Sequence, residues 1–150
     1  MTISNKVAEV KINYKPKKFT SKLKITNSED AHKFLRSIWS DQIGYKEQFY
    51  VLLLNTGNYI LGYNLLGTGG TAGVVADVKI ILQLAIKTNA QNIIISHNHP
   101  SGNKIASKQD LELTNKLKNA LKLLDMNLFD HLILMPHEEE YLSMADEGLL

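Results

Sequence analysis

The most informative stretch of this chain is IIISHNHPSGNKIASKQD, residues 93–110. It opens with a short apolar run that is typical of a buried strand, after which Pro100 and Gly102 turn the chain away. The SKQD segment that follows the polar loop predicts the start of a helix, because Ser107 is a suitable N-cap. The stretch therefore predicts a strand, a turn and a helix in immediate succession.

Two of the five histidines of the chain, His97 and His99, stand one residue apart at the end of the apolar run. Side chains at i and i+2 of a strand point to the same side, so both imidazoles project together. Two protonated rings repel, and two neutral buried rings each need a donor and an acceptor. A divalent metal between the rings solves this problem, whereas a surface or hydrogen-bonded pair is the plainer alternative.

Asp110 lies eleven residues after His99, in the first turn of the predicted helix. From there its carboxylate can turn back toward the histidines. Two imidazoles and one carboxylate form a set of three protein ligands that leaves a position for water, as in catalytic zinc sites. Ser107 either caps the helix or turns its hydroxyl toward a substrate, and both alternatives stay open. The sequence thus predicts a Zn²⁺ site formed by His97, His99 and Asp110.

Outward from this stretch, strands and helices alternate after an early hairpin. The runs QFYVLLLN and YILGYNLL predict the hairpin, and MNLFDHLILM and the last residues predict two more strands. SEDAHKFLRSIW predicts a helix with Ser28 as N-cap and His32 on its surface, and ADVKIILQLAIKTN predicts a helix after a Gly-rich loop. The pattern indicates an α/β fold, a mixed sheet with helices packed on it, in one domain.

Composition excludes several classes of protein and site. The 150 residues suit one domain, and the lack of cysteine excludes disulfides, thiolate metal ligands and a cysteine nucleophile. No apolar run reaches the ~20 residues of a membrane span and no signal peptide is evident, so we expect a cytoplasmic protein. Residues 1–24 carry seven lysines against one acid, Glu9, a net +6. This basic arm, residues 1–26 with short strands predicted at VAEVKINY and LKIT, either attracts nucleic acid or is simply solvated.

The motif residues resemble a known family. His97, His99, Ser107 and Asp110 match the H-x-H-x7-S-x2-D pattern of the JAMM (MPN+) metalloprotease superfamily. HNHPSG followed by S-x-x-D-x-x-x-T, together with GTGGTAG, DHLIL and the terminal YLSMADEGLL, resembles its RadC branch. The resemblance covers residues 27–150. It implies a zinc hydrolase with a single curved mixed sheet flanked by helices, of the cytidine-deaminase-like type.

The resemblance also implies a catalytic mechanism and an alternative, non-catalytic function. Glu47 matches the general acid/base glutamate of the superfamily, although nothing in composition or spacing singles it out. Glu47 would take a proton from the zinc-bound water and return it to the leaving amine of a peptide or other amide-containing substrate, while Ser107 would bond the oxyanion. The DNA-repair label of the RadC branch makes a DNA-associated accessory protein without catalysis the alternative. A metal-stabilised interaction module without turnover is the third hypothesis.

Two further positions carry alternatives of their own. Asp130 and His131 form either a structural hydrogen bond at the start of a strand or support for the metal ligands. Thr114 lies one turn beyond Asp110 and either supports it or faces solvent.

Overall fold

Five strands form one mixed sheet that carries helices on both faces. A computed structural model of the chain describes residues 3–11, 13–16, 23–70 and 74–150. In chain order the elements are α1 (Ser28–Ile38), β1 (Gln48–Leu54), β2 (Ile60–Thr68), α2 (Val78–Lys87), β3 (Asn92–Asn98), α3 (Lys108–Leu123), β4 (Asn127–Leu134) and β5 (Tyr141–Ser143). Single 3-10 turns cover Ile3–Lys6 and Asp41–Gly44.

The strand order of the sheet is β2-β1-β3-β4-β5. β1 runs antiparallel to both β2 and β3, β3 runs parallel to β4, and β5 is an antiparallel edge. A parallel pair needs a crossover connection, which α3 supplies between β3 and β4. The predicted hairpin and the predicted single mixed α/β sheet are both confirmed, and the strand that bears the histidine motif lies at the centre of the sheet.

Each face of the sheet packs its own apolar core, because successive residues of a strand point to opposite sides. Val51 of β1 packs in the core on the α2 and α3 side, whereas the next residue, Leu52, packs in the core on the α1 side. Every residue of β1 and β3 is buried, which explains the apolar runs FYVLLL and III that these strands contain. His97 follows the alternation of Ile93 and Ile95 and so belongs to the α2–α3 face.

Helix α1 has a different cap from the one predicted. Asn27, not Ser28, is the N-cap, and its Oδ1 accepts a hydrogen bond of 2.8 Å from the backbone N–H of Asp30. The hydroxyl of Ser28 instead donates to the carboxylate of Asp146 near the end of the chain. Asn and Ser are about equally good N-caps, so the sequence NS offers two starting points and the tertiary contact of Ser28 selects one.

The prediction that His32 lies on the surface of α1 is wrong. The ring is buried, stacks on Tyr141 with centroids 4.2 Å apart, and accepts a hydrogen bond of 2.9 Å from Arg36 Nε. The guanidinium also ties α1 to the connection between β4 and β5, which covers the ring from outside. It does so by donating to the carbonyls of Met135, His137 and Glu140.

The basic arm does not add a strand at the positions that the structure describes. Residues 7–11 and 13–14 lie outside any strand, and the intervening position falls outside the described residues. Val7 and Val10 are 71% and 89% exposed, so the apolar residues of this segment have no partner strand to pack on. The LKIT segment contributes one bridge, from Lys24 to Tyr59. Lysines 17, 18 and 22 are not among the described residues, and nucleic-acid binding by this arm stays a prediction.

Across the described parts of the chain, none of the helices combines the length and apolarity that a membrane crossing needs.

Candidate metal centre

The end of β3 places two imidazoles side by side. His97 is the penultimate residue of β3, and His99 follows the strand with its backbone N–H donating to Leu134 O at 2.9 Å. This bond continues the hydrogen bonding to β4 one residue beyond the strand. Both rings therefore project to the same side, as predicted, and their Nε2 atoms lie 3.1 Å apart.

Helix α3 brings a carboxylate to the same point. Asp110 Oδ1 lies 3.2 Å from His97 Nε2, and Asp110 Oδ2 lies 3.5 Å from His99 Nε2. One ligand atom from each of these three residues lies within 4.8 Å of the other two. The three side chains are only 4%, 17% and 11% exposed for His97, Asp110 and His99, so the cluster is sheltered from bulk water. The three residues that the sequence singled out as ligands thus meet in space and could hold a metal ion.

The hydrogen-bond partners of His99 test whether this cluster suits a cation. Its Nδ1 lies 2.7 Å from Asn103 O, and a carbonyl oxygen can only accept. Nδ1 therefore carries the hydrogen, and in the neutral ring the lone pair of Nε2 points at Asp110 and His97. A carboxylate and a lone pair facing each other need a positive charge between them. Two imidazoles and one carboxylate also form a common donor set for a divalent metal, so the residues fit the group.

The electrostatics of the metal-free cluster point the same way. Burial alone would raise the pKa of the Asp110 carboxyl, but when the His97 and His99 rings carry a proton on Nε2 their hydrogen bonds to the carboxylate outweigh burial and hold that pKa well below its usual range. The hydrogen bond to Asp110 raises the pKa of His99 against the opposing effect of burial. Asp110 is therefore an anion in this site, and the site favours a positive charge beside it.

Glu47, which only the family resemblance singled out, lies in the same cavity as the cluster. It directly precedes β1, and because Phe49 of β1 pairs with His97 of β3, the start of β1 lies at the histidine end of β3. Glu47 Oε2 accepts a hydrogen bond of 3.1 Å from the backbone N–H of Val74, in the segment before α2. The cavity measures about 570 Å³, and the predicted site residues line it together: Glu47, His97, His99, Ser107 and Asp110.

Asn98, the residue between the two histidines, holds the segment that carries Glu47. Its side chain points to the opposite face of the sheet, where it is fully buried. The amide nitrogen donates to Ile43 O at 2.7 Å and to Lys46 O at 2.8 Å, and Oδ1 accepts from Gln48 N at 2.7 Å. The sequence analysis missed this role. The alternation of the strand predicts the side of the sheet for Asn98, but no local signal reveals its partners.

Ser107 is the N-cap of α3, so the capping alternative of the sequence analysis is confirmed. Its Oγ accepts from the backbone N–H of Asp110 at 3.1 Å, and Asp110 Oδ2 accepts from the backbone N–H of Ser107 at 2.8 Å. This reciprocal capping box fixes the backbone and the carboxylate of Asp110 together. Because Oγ acts here as an acceptor and Ser107 lines the cavity, its hydroxyl hydrogen stays available to a second partner.

The Asp130–His131 pair divides between the two faces of β4. Asp130 is structural, and its carboxylate accepts from the backbone N–H of His131 and of Ala145 at 2.7 and 3.0 Å. His131 lies on the side of the His97–His99–Asp110 cluster, with Nε2 2.7 Å from His97 Nδ1. Thr114 supports Asp110 by donating to its backbone carbonyl at 2.6 Å. The structure thus gives each residue its contacts: Asp130 braces the strand, whereas His131 and Thr114 contact residues of the His97–His99–Asp110 cluster.

Comparison with known proteins agrees with this geometry. The family model of the RadC-like JAB domain matches residues 25–149. A UPF0758 protein of Flavobacterium johnsoniae is 38% identical over 126 residues, which are 84% of this chain and 53% of that protein. A UPF0758 protein of Porphyromonas gingivalis is 40% identical over 126 residues, 84% of this chain and 54% of that protein.

A third relative, the UPF0758 protein of Carboxydothermus hydrogenoformans, is 39% identical over 131 residues, 86% of this chain and 55% of that protein. The chain thus spans about half the length of the curated relatives that it matches. The family model covers the sheet, the helices and each residue of the His97–His99–Asp110 cluster. The resemblance deduced from the motif is confirmed, and the chain belongs to the RadC-like JAB domain family.

Proposed function

We propose that this chain is a zinc-dependent hydrolase that cleaves an amide bond, in a peptide or an isopeptide linkage. One observation carries the proposal: a sheltered cluster of two imidazoles and a carboxylate shares a cavity with a second carboxylate, that of Glu47, outside the ligand set. Three ligands with a neighbouring acid/base group are the parts that a hydrolytic metal site needs. Membership of the JAB family supports the same reaction class.

Zinc is the metal that suits these ligands. Imidazole nitrogen and carboxylate oxygen are both common zinc ligands, and catalytic zinc sites keep three protein ligands and leave a further position free. A calcium or magnesium site would instead be built from oxygen ligands alone. His97, His99 and Asp110 would therefore hold Zn²⁺.

The side chains around the cluster have distinct roles in the proposed reaction. The bound metal supplies Lewis-acid activation, which makes water a nucleophile near neutral pH and polarises the scissile carbonyl. Glu47 accepts the proton that the attacking water gives up and delivers it to the nitrogen of the leaving amine. Ser107, whose Oγ caps α3, donates its free hydroxyl hydrogen to the oxygen that gains negative charge.

The test uses a panel of fluorogenic peptide and isopeptide substrates with zinc-loaded protein. We expect Glu47→Gln to keep its zinc and to hydrolyse about 10²- to 10⁴-fold more slowly, because proton transfer is lost while the ligands stay. Glu112→Gln is the matched control, since this exposed glutamate of α3 pairs only with Lys108 among the described contacts. Full activity of Glu47→Gln on a substrate that the native protein cleaves would refute the proposed role.

A further inference from the structure

A chain of hydrogen bonds behind the cluster connects two of its residues, His97 and Asp110. His97 Nδ1 lies 2.7 Å from His131 Nε2, and His131 Nδ1 lies 2.6 Å from Thr114 Oγ1. Thr114 Oγ1 in turn lies 2.6 Å from the backbone oxygen of Asp110. The chain starts at the side chain of one ligand and ends at the backbone of another, so it links β3, β4 and α3 around the site.

The chemistry of its end groups gives this chain one direction. The carbonyl of Asp110 can only accept, so the single hydrogen of the Thr114 hydroxyl points to it. If the hydroxyl pointed instead to its other possible acceptor, Met144 Sδ at 3.5 Å, Thr114 Oγ1 would still have no hydrogen left for His131. Thr114 Oγ1 must then accept from His131, which places the hydrogen of His131 on Nδ1. The remaining nitrogen, Nε2, becomes an acceptor for His97 Nδ1–H.

We propose that His131 and Thr114 act as positioning residues that preset His97 for metal binding. With its hydrogen held on Nδ1, neutral His97 presents the Nε2 lone pair to the cluster, where His99 presents its own. This chain of hydrogen bonds from His97 through His131 and Thr114 to Asp110, the relay, also fixes the plane of the His97 ring. Partners behind a ligating histidine commonly set its tautomer and orientation in this way, and here a histidine and a threonine take the place of the usual carboxylate.

The burial of the relay explains why it can hold a single arrangement. His131, Thr114 and His97 are 0%, 2% and 3% exposed, so bulk water does not compete for their hydrogen bonds. Phe49 forms one wall, its ring parallel to that of His97 with centroids 6.0 Å apart. Hydrogen bonds in such a dry site are stronger, and a missing partner is costlier, than at the surface.

The first test measures the dissociation constant for Zn²⁺ by competition with a chromophoric chelator. This inference rests on the proposed metal site. We expect Thr114→Val to weaken zinc binding about 10- to 100-fold, as loss of such a partner does elsewhere, and Thr114→Ser to restore it. Thr88→Val is the matched control, because Thr88 also donates to the carbonyl four residues earlier, 2.8 Å away, but lies at the far end of α2. Native affinity in Thr114→Val would overturn the relay.

The second test needs no metal and separates the relay from the proposed function. In metal-free protein, ¹⁵N NMR of the imidazoles should show neutral His131 with hydrogen on Nδ1 and none on Nε2. Hydrogen on Nε2 would reverse the chain and overturn the proposal. If the native protein shows the expected tautomer but takes up no zinc, the hydrolase proposal fails while the relay stands. Urea unfolding of the metal-free variants shows whether each one folds. His131→Gln, which keeps an acceptor toward His97, replaces any variant that does not fold.

Discussion

Asp110 shows how one side chain can serve the fold and the site together. Its carboxylate completes the capping box of α3 through the backbone N–H of Ser107, and the same group faces both imidazoles. A carboxylate at the N-terminus of a helix is also stabilised by the helix dipole. The carboxylate of Asp110 is therefore held in place by the start of its own helix.

Ser107 carries two roles that substitution can separate. Ser107→Ala should lower the free energy of unfolding by about 1 kcal/mol, the usual loss of an N-cap, and should slow hydrolysis as well. Ser107→Asn keeps a capping oxygen but loses the hydroxyl, so we expect it to regain stability and to stay slow. Urea unfolding and the substrate panel provide the two measurements. Recovery of both stability and hydrolysis rate in Ser107→Asn would show that Ser107 acts only as an N-cap.

His32 should make the stability of the protein depend on pH. Burial, together with the positive charge of Arg36, lowers the pKa of His32 from 6.5 to about 4. The unfolded chain therefore binds a proton at higher pH than the folded one, so stability is fully present above pH 6.5 and falls as the pH drops toward 4. We expect a loss of about 1 to 2 kcal/mol from this residue, after allowing for partial solvent screening.

Urea unfolding across this pH range checks the prediction in matched variants. His32→Gln still accepts from Arg36 but cannot be protonated, so its stability should fall less steeply than that of the native protein. His137→Gln removes an exposed histidine and should keep the native slope. Equal slopes in native protein and His32→Gln would contradict the prediction.

At the scale of elements, the site depends on how strands and connections are tied together. Asn98 joins β3 to the start of β1 and the segment before it through three hydrogen bonds to backbone groups, one buried and two partly buried. Asn98→Ala leaves those backbone groups without partners, so we expect a loss of about 2 to 4 kcal/mol in the free energy of unfolding. Asn119→Ala, at an exposed position of α3, is the control. A loss in Asn98→Ala no larger than in the control would show that the segment is held by other contacts.

Local pattern was enough to predict most of the elements and to single out the three residues of the His97–His99–Asp110 cluster. The apolar runs FYVLLL in β1 and III in β3, the H-x-H alternation and the S-x-x-D cap each follow from short-range rules. Glu47 could not be found this way, because its closeness to the histidines depends on the antiparallel register that pairs Phe49 with His97. Only the family resemblance supplied it.

Contacts between residues that lie far apart in the chain explain the features that the sequence analysis did not predict. His32 belongs to a polar-looking helix face, yet the connection after β4 covers it through Arg36. His131 lies beside His97 because β3 and β4 pair in parallel with Ile95 opposite His131. The VAEVKINY segment resembles a strand in sequence, but a strand forms only where a partner edge is available, and Val7 and Val10 are exposed.

For the whole molecule, the position of the site follows from the topology of the sheet. β3 pairs antiparallel with β1 and parallel with β4, so the end of β3, the start of β1 and the end of β4 meet at one edge. Helix α3 begins there, because the crossover to β4 must start where β3 stops. Ligands of α/β proteins characteristically bind at the carboxyl ends of the strands, where the connections change direction. This edge gathers Glu47, both histidines and Asp110 from three separate stretches of the chain.

Metal binding should stabilise this whole arrangement. A ligand that binds only the folded state adds about 2.7 kcal/mol at a concentration one hundred times its Kd, which corresponds to a rise of about 5 to 10 °C in Tm for a chain of this size. We expect this rise with Zn²⁺ in the native protein, its reversal by a chelator, and no rise in His99→Ala. An equal rise in His99→Ala would place the zinc elsewhere.

The most direct test is the zinc content of the purified protein, measured by elemental mass spectrometry beside His97→Ala, Asp110→Ala and Glu47→Gln. We predict one zinc per chain in the native protein and in Glu47→Gln, and none in the two ligand variants. A native protein that takes up no zinc when it is offered, or ligand variants that keep it, would contradict a metal centre at His97, His99 and Asp110.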